Sequence, residues 1–354
     1  MGLIKKKLKV FFVFVILVKI MKFKYIFLSF LIPILCYWFF TNDRIDDELL
    51  QYYINQSDQT PSQIKIMSYN IRSSNLDSGL QSWNYRKNKL SSLIQKYNPD
   101  IICTQEGLRD QLFELGGFLP ELKMFGFLKD QREDFENLVI FYNETKMNFI
   151  KGDYFWLSET PHIEFSKSWD AMFPRLATYA IFEIKATMNK VFIVNCHFDH
   201  KGAEARKNSA YSIVDTIKKL APNEYNTLPI IIMGDFNEAP YTKGYYFFID
   251  EGFLSILENC QQIFQVFKCS FHYYYGKIVE NLLVRVGLFF GFKYHSGTFP
   301  KFDNYHIDWI LTRSGDNTIV KHLVFHMPSD DNDSSGIYAS DHFPLFGIVE
   351  LQNQ

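Results

Sequence analysis

A chain of 354 residues that is 47% apolar and 18% aromatic holds enough material for a large core, which excludes a disordered protein. Five cysteines over this length exclude a disulfide-built scaffold. The formal net charge of −2 conceals an asymmetry: residues 1–41 carry seven lysines and no acid, leaving 30 basic against 39 acidic residues beyond them. An acidic body argues against broad affinity for polyanions.

In chain order, residues 10–18 are uninterruptedly apolar, and 25–40 are apolar apart from Ser29 and Pro33. Lysines precede and separate the two runs, which favours an N-inside, C-outside orientation. The second run would make about 24 Å of helix, short for a full span and suited to a signal sequence. Its end, Ile34-Leu-Cys-Tyr-Trp-Phe-Phe40, offers no small-x-small cleavage site. Residues 1–41 are therefore expected as a signal peptide or an uncleaved N-terminal signal anchor. The body would then be secreted, or membrane-anchored and facing the lumen or the outside. Asn-x-Ser/Thr triplets at Asn55, Asn143 and Asn332 are consistent with a glycoprotein. Residues 42–63 are polar and turn-rich and are expected as a linker.

From residue 64 to 352 the pattern alternates strands with helices. Strands are expected over 64–71, 101–106, 138–142, 179–184, 190–196, 230–233, 306–312 and 342–351. Helices are expected over 83–97, with Leu90, Leu93 and Ile94 on one face, over 203–220, and near 245–250. Many strands with few helices suggest two packed mixed sheets with helices outside. Residues 254–294 break this rhythm with a run of Phe, Tyr and Leu, expected as extra core or an inserted helix. An apolar lid or membrane-contacting loop is the alternative. Cys260 and Cys269 are the one pair the sequence offers as a disulfide.

The centre of the chain is Pro229-Ile-Ile-Ile-Met-Gly-Asp-Phe-Asn-Glu-Ala-Pro240. Its apolar run reads as a strand buried on both faces, Gly234 as a tight turn, and Asp235 with Asn237 as polar groups delivered to one point. Similar polar residues end other apolar runs: Asn70, Glu106, His197, Asp199, Asp308, Asp341 and His342. One such residue reads as a cap or a turn. The same feature at six separate strands reads as a site, because strand ends converge in layered α/β folds.

The segments Met67-Ser-Tyr-Asn-Ile71, Gln105-Glu106, Asn195-Cys-His-Phe-Asp199, Gly234-Asp-Phe-Asn237, Ile307-Asp-Trp-Ile310 and Ser340-Asp-His342, in this order, resemble the endonuclease/exonuclease/phosphatase superfamily. The resemblance spans residues 64–349 and implies the deoxyribonuclease-I-like α/β (α+β) fold, a four-layer sandwich of two mixed β-sheets flanked by helices. It implies a Mg²⁺-dependent hydrolase of phosphate esters, with Mn²⁺ as a substitute ion. Asn70, Glu106 and Asp341 would hold the metal, which suits hard oxygen ligands. Asp308 would orient His342 for proton transfer, with Asp235 as the competing base. His197 and Asn237 would donate to phosphoryl oxygens, Arg175 would pair with phosphate, and Asp199 would support the His197 loop. No position of the pattern is missing. The resemblance leaves the phosphate-ester substrate open between nucleic acid and phospholipid. A sphingomyelinase-like phosphodiesterase would account for a membrane contact through the N-terminal segment, and a monomer is expected. The reading from another class is a non-catalytic recognition protein on the same scaffold.

Overall fold

The structure, a computed structural model, describes residues 46–128, 135–267, 269–272, 274, 306–329 and 337–354. Its contacts divide the chain into Met1–Tyr53 and Ile54–Gln354. The expected signal or anchor lies outside the described residues. Among the described residues no helix is long and apolar enough to cross a membrane. Residues 46–59, inside the expected linker, are helical (α1).

The larger unit is built from strands β1 (Gln63–Asn70), β2 (Ile101–Gly107), β3 (Leu122–Gly126), β4 (Asn137–Asn143), β5 (Met147–Trp156), β6 (Leu176–Ile184), β7 (Lys190–His197), β8 (Ile230–Asp235), β9 (Leu254–Ser255), β10 (Gln262–Ile263), β11 (Asp308–Arg313), β12 (Thr318–His326) and β13 (Leu345–Asn353). They form two mixed sheets, in the orders β10-β12-β13-β1-β2-β4-β3 and β5-β6-β7-β8-β11-β9. The inner faces meet in one apolar core. Ile64, Ile66, Ile101 and Cys103 of the first sheet pack with Ile193, Ile231, Met233 and Ile310 of the second. Truncating one of these to Ala is expected to cost about 2–5 kcal/mol.

Helices close the outer faces. α2 (Trp83–Tyr97) buries Leu90, Leu93, Ile94 and Tyr97, and the Tyr97 ring lies 5.3 Å from that of Phe346 on β13. α3 (Arg109–Phe118) lies beside it, where Trp83 donates to Glu114 at 2.6 Å. Over the second sheet, α4 (Ala203–Leu220) and α6 (Lys243–Asp250) supply Ala210, Ile213, Ile217, Tyr245 and Phe248 to a separate core with Phe192, Ile230 and Ile232. α5 (Pro222–Thr227) and α7 (Ile256–Asn259) are short connectors. The four-layer expectation holds.

Several local expectations need correction. Gly234 does not turn the chain; it sits inside β8, opposite Cys196 of β7 and Trp309 of β11. A Cβ there would stand 2.0 Å from the Cys196 carbonyl oxygen, so glycine serves close approach of two strands. The expected disulfide between Cys260 and Cys269 is not formed. Asn143 is buried, and its side-chain oxygen accepts from Thr145 N and Oγ1. Asn55 is exposed, and Asn332 lies outside the described residues. Of 254–294, the first part forms β9, α7 and β10 and gives Ile256 and Phe267 to the core. Residues 275–305 lie outside the described residues.

A candidate active site where the two sheets meet

β1 and β2 run parallel, as do β7 and β8, so each pair ends at one edge. β11 runs antiparallel to β8, and β13 antiparallel to β1, so their starting residues reach that edge too. Asp308 is the register partner of Asp235, and so is His197. Three residues of this edge, Arg72, Glu106 and Asn237, hold left-handed backbone at φ 54°, 64° and 49°. Such a conformation costs a non-glycine residue about 1–3 kcal/mol and persists where the surroundings over-determine it.

Asn70 is the hinge of the arrangement. Its Nδ2 donates to Glu106 Oε1 and to Asp235 Oδ2, both at 2.9 Å, tying one sheet to the other. Its Oδ1 accepts from Arg72 N, and its main-chain oxygen accepts from Ser340 Oγ at 2.7 Å. Asp235 Oδ2 also lies 3.5 Å from His197 Nε2 and 3.8 Å from His342 Nε2. His342 Nδ1 meets Asp308 Oδ2 at 2.8 Å. Asn237 N donates to Asp235 Oδ1, and Asn237 Nδ2 faces both Phe198 O and His197 Nε2 at 3.0 Å. Asn70, Glu106, His197, Asp235, Asp308 and His342 are buried, Glu106 the least at 9% exposure, while Asn237 is half-buried.

Asp341 and Arg175 are engaged differently. Asp341 Oδ2 faces Arg72 Nη1 at 3.3 Å. Arg175 Nη1 is spent on Glu136 Oε2 at 3.1 Å and His197 Nδ1 at 3.0 Å. Asp199 accepts from the main-chain nitrogens of Met172, Phe173, Lys201 and Gly202 at 2.7–3.0 Å, fastening the approach to β6 onto the loop after His197. The site opens into a cleft of about 810 Å³ lined by Arg72, Glu136, Phe173, Arg175, Lys201 and Phe271, among others. Glu136 and Arg72 were not legible as site residues, because neither ends an apolar run.

Burial, then the charge of Asp308, raises the Asp235 carboxyl to about 7. Burial and then Glu106 raise Glu136 likewise to about 7. For His342 burial opposes the charged ring, but Asp308, with Asp235 and Asp341 behind it, raises it to about 10. Burial, aided by the Arg175 charge, holds His197 well below the ordinary imidazole range, so its ring is neutral. Asp308 Oδ1 is buried with no hydrogen-bond partner among the described residues. Two groups bring ligand atoms within 4.8 Å of one another: Glu106, His197 and Asp235, and Asp235, Asp308 and His342. Crowded oxygens of this kind fit a hard divalent cation.

A layered sandwich that gathers carboxylates, amides and imidazoles at one end of both sheets defines the class, that of hydrolases of phosphate ester bonds. The chain belongs to the Endonuclease/Exonuclease/phosphatase family, which matches residues 67–342. It is similar to the endonuclease/exonuclease/phosphatase from Bacteroides vulgatus, at 27% identity and a TM-score of 0.66, covering 82% of this chain and 99% of that one. It is also similar to the mannosyl-6-phosphatase of Bacteroides thetaiotaomicron, at 26% identity and a TM-score of 0.64, with the same coverage. Among curated proteins, Carbon catabolite repressor protein 4 homolog 3 of Arabidopsis thaliana is 25% identical over 224 residues, 57% of this chain and 47% of the relative. The chain therefore spans less than half of that relative's length.

Proposed function

We propose that this protein hydrolyses a phosphate ester with a Mg²⁺ ion held by the Glu106 carboxylate, with Asp341 alongside. Asn70, expected as a ligand, instead aligns the carboxylates, because its Nδ2 donates to Glu106 and Asp235. The observation that carries the reading is the bridge from Asn70 to both Glu106 and Asp235, which places carboxylates of the two sheets around one point. Bound there, a divalent cation would polarise a phosphoryl oxygen and offset the negative charge of the transition state. The chain's own groups do the rest. Asp235, central between two imidazoles, accepts the proton of the attacking water. His342, held by Asp308, presents Nε2–H to the phosphoryl group, and Asn237 and His197 donate to its other oxygens.

For the substrate we favour a phosphorylated small molecule. An acidic body and a partly aromatic cleft suit a compact ester better than a long polyanion. The coverage shared with the Bacteroides phosphatase supports the same choice. The test is a panel of sugar phosphates, an RNA oligonucleotide and phospholipid vesicles, assayed with Mg²⁺ and with EDTA. EDTA-sensitive turnover of sugar phosphates is expected; turnover of RNA or lipid alone would reverse the substrate assignment, and no hydrolysis of any would overturn the reading. The lysine-flanked apolar N-terminus supports a lumenal or extracellular catalytic body, secreted or anchored. Protease accessibility of a C-terminal tag in intact cells tests that placement.

A further inference from the structure

A neutral imidazole carries one N–H, so the partner of each ring nitrogen decides where the proton sits. His197 is enclosed on both sides. Arg175 Nη1 stands 3.0 Å from Nδ1, and a guanidinium only donates. On the other side Asn237 Nδ2 stands 3.0 Å from Nε2, while the same nitrogen is 3.0 Å from the Phe198 carbonyl oxygen. Two donors therefore compete for one lone pair. If Nδ1 kept the proton, that N–H would point into a cation held 3.0 Å away, with Glu136 Oε2 no closer than 4.0 Å. If Nε2 keeps the proton, Nδ1 accepts a charge-assisted bond from Arg175, and Nε2–H finds Asp235 Oδ2 at 3.5 Å. The second arrangement loses only the neutral Asn237 contact, so it is favoured.

We infer that Arg175, steadied by Glu136, is a positioning residue that fixes His197 with its proton on Nε2, so that this imidazole donates toward the phosphoryl group. The ion pair Glu136–Arg175, at 3.1 Å, keeps the guanidinium against the ring. Glu136 thus acts two contacts away from the reacting atoms. The inference deepens the phosphoesterase reading and relies on it only for the use made of the Nε2 proton. The tautomer itself is measurable without turnover.

The experiment is long-range ¹H–¹⁵N correlation on the full chain labelled with ¹⁵N-histidine, the His197 signals being identified by their loss in His197→Gln. The wild-type spectrum should show the Nε2–H tautomer. Arg175→Met should move the proton to Nδ1, where Glu136 can accept it and Asn237 can donate to Nε2. Its kcat should fall about 10²-fold, the cost of one misaligned transition-state donor, with KM little changed. Arg175→Lys, which keeps a cationic donor, should restore the Nε2–H form. An Nδ1–H tautomer in the wild type overturns the inference, as does a tautomer unchanged in Arg175→Met. Should Arg175→Met fail to fold, the wild-type and Arg175→Lys spectra decide alone. A chain that hydrolyses nothing yet shows the Nε2–H form would overturn the proposed function and leave this assignment standing.

Discussion

The two ends of the central strands bury charge in opposite ways. At the start of β1, Lys65 is fully buried and its Nζ sits 2.6 Å from Asp58 Oδ1. Lys146 joins Asp58 at 2.7 Å and Asp100 at 2.8 Å, while Asp100 Oδ2 accepts from Lys65 N. Cations and carboxylates alternate there. At the far end Glu106, Asp235 and Asp308 converge, and the positive charge facing Asp235 and Asp308 is the His342 ring that those acids sustain. Burying charge is tolerable when it is paired and costly when it is not. One end is a finished structural lock, and the other is left short of a counter-charge that a divalent ion would supply.

The largest effect that separates the two ends should come from Asp235→Asn. It removes the central acceptor, and kcat is expected to drop by about 10³-fold or more in a steady-state assay. The same change relieves carboxylate crowding, so thermal unfolding without metal should occur no lower than in the wild type. A lower melting temperature would mean that the site end is also structural. Lys65→Ala should do the reverse: a stability loss of about 3 kcal/mol in chemical denaturation, with kcat per folded molecule unchanged. Next in size, Mg²⁺ at a hundredfold excess over its Kd should stabilise the fold by about 2.7 kcal/mol. That increment should disappear in Glu106→Gln, whereas Asp58→Asn should keep it.

The smallest effect lies in pH, where the ends should show opposite signs. The native state keeps a proton on Asp235 up to about 7 that the unfolded chain releases near 3.8. Metal-free stability should therefore fall as pH rises between these values, and bound Mg²⁺ should flatten the slope. For Asp58 burial pushes the carboxyl up, but Lys146 and Lys65 outweigh it and hold it below 3.8. Its contribution is complete above 3.8 and is lost as pH falls further, a loss that Asp58→Asn should abolish in acid titrations.

Much of this was legible because apolar runs ending in polar residues mark buried strands, and the ends of β1, β2, β7 and β8 carry Asn70, Glu106, His197 and Asp235. What escaped has physical causes. β5 is largely exposed from Asn148 to Tyr154, so no run of buried residues announces it. β12 carries a register shift between His322 and Val324 that breaks the two-residue alternation. Glu136 lies in a polar stretch and gains its role only through Arg175, brought beside it by the fold. Gly234 was misread because the same residue type that permits a turn also permits two backbones to touch, and sequence does not distinguish the two uses.

The Asn70 bridge between sheets has a consequence for how the protein matures. Neither half of the sandwich, assembled by itself, owns a working set of groups, so a chain halted before the halves dock is inert toward its substrate. Enzymatic turnover can be regained no sooner than docking, which makes it a clock for the late stage of refolding.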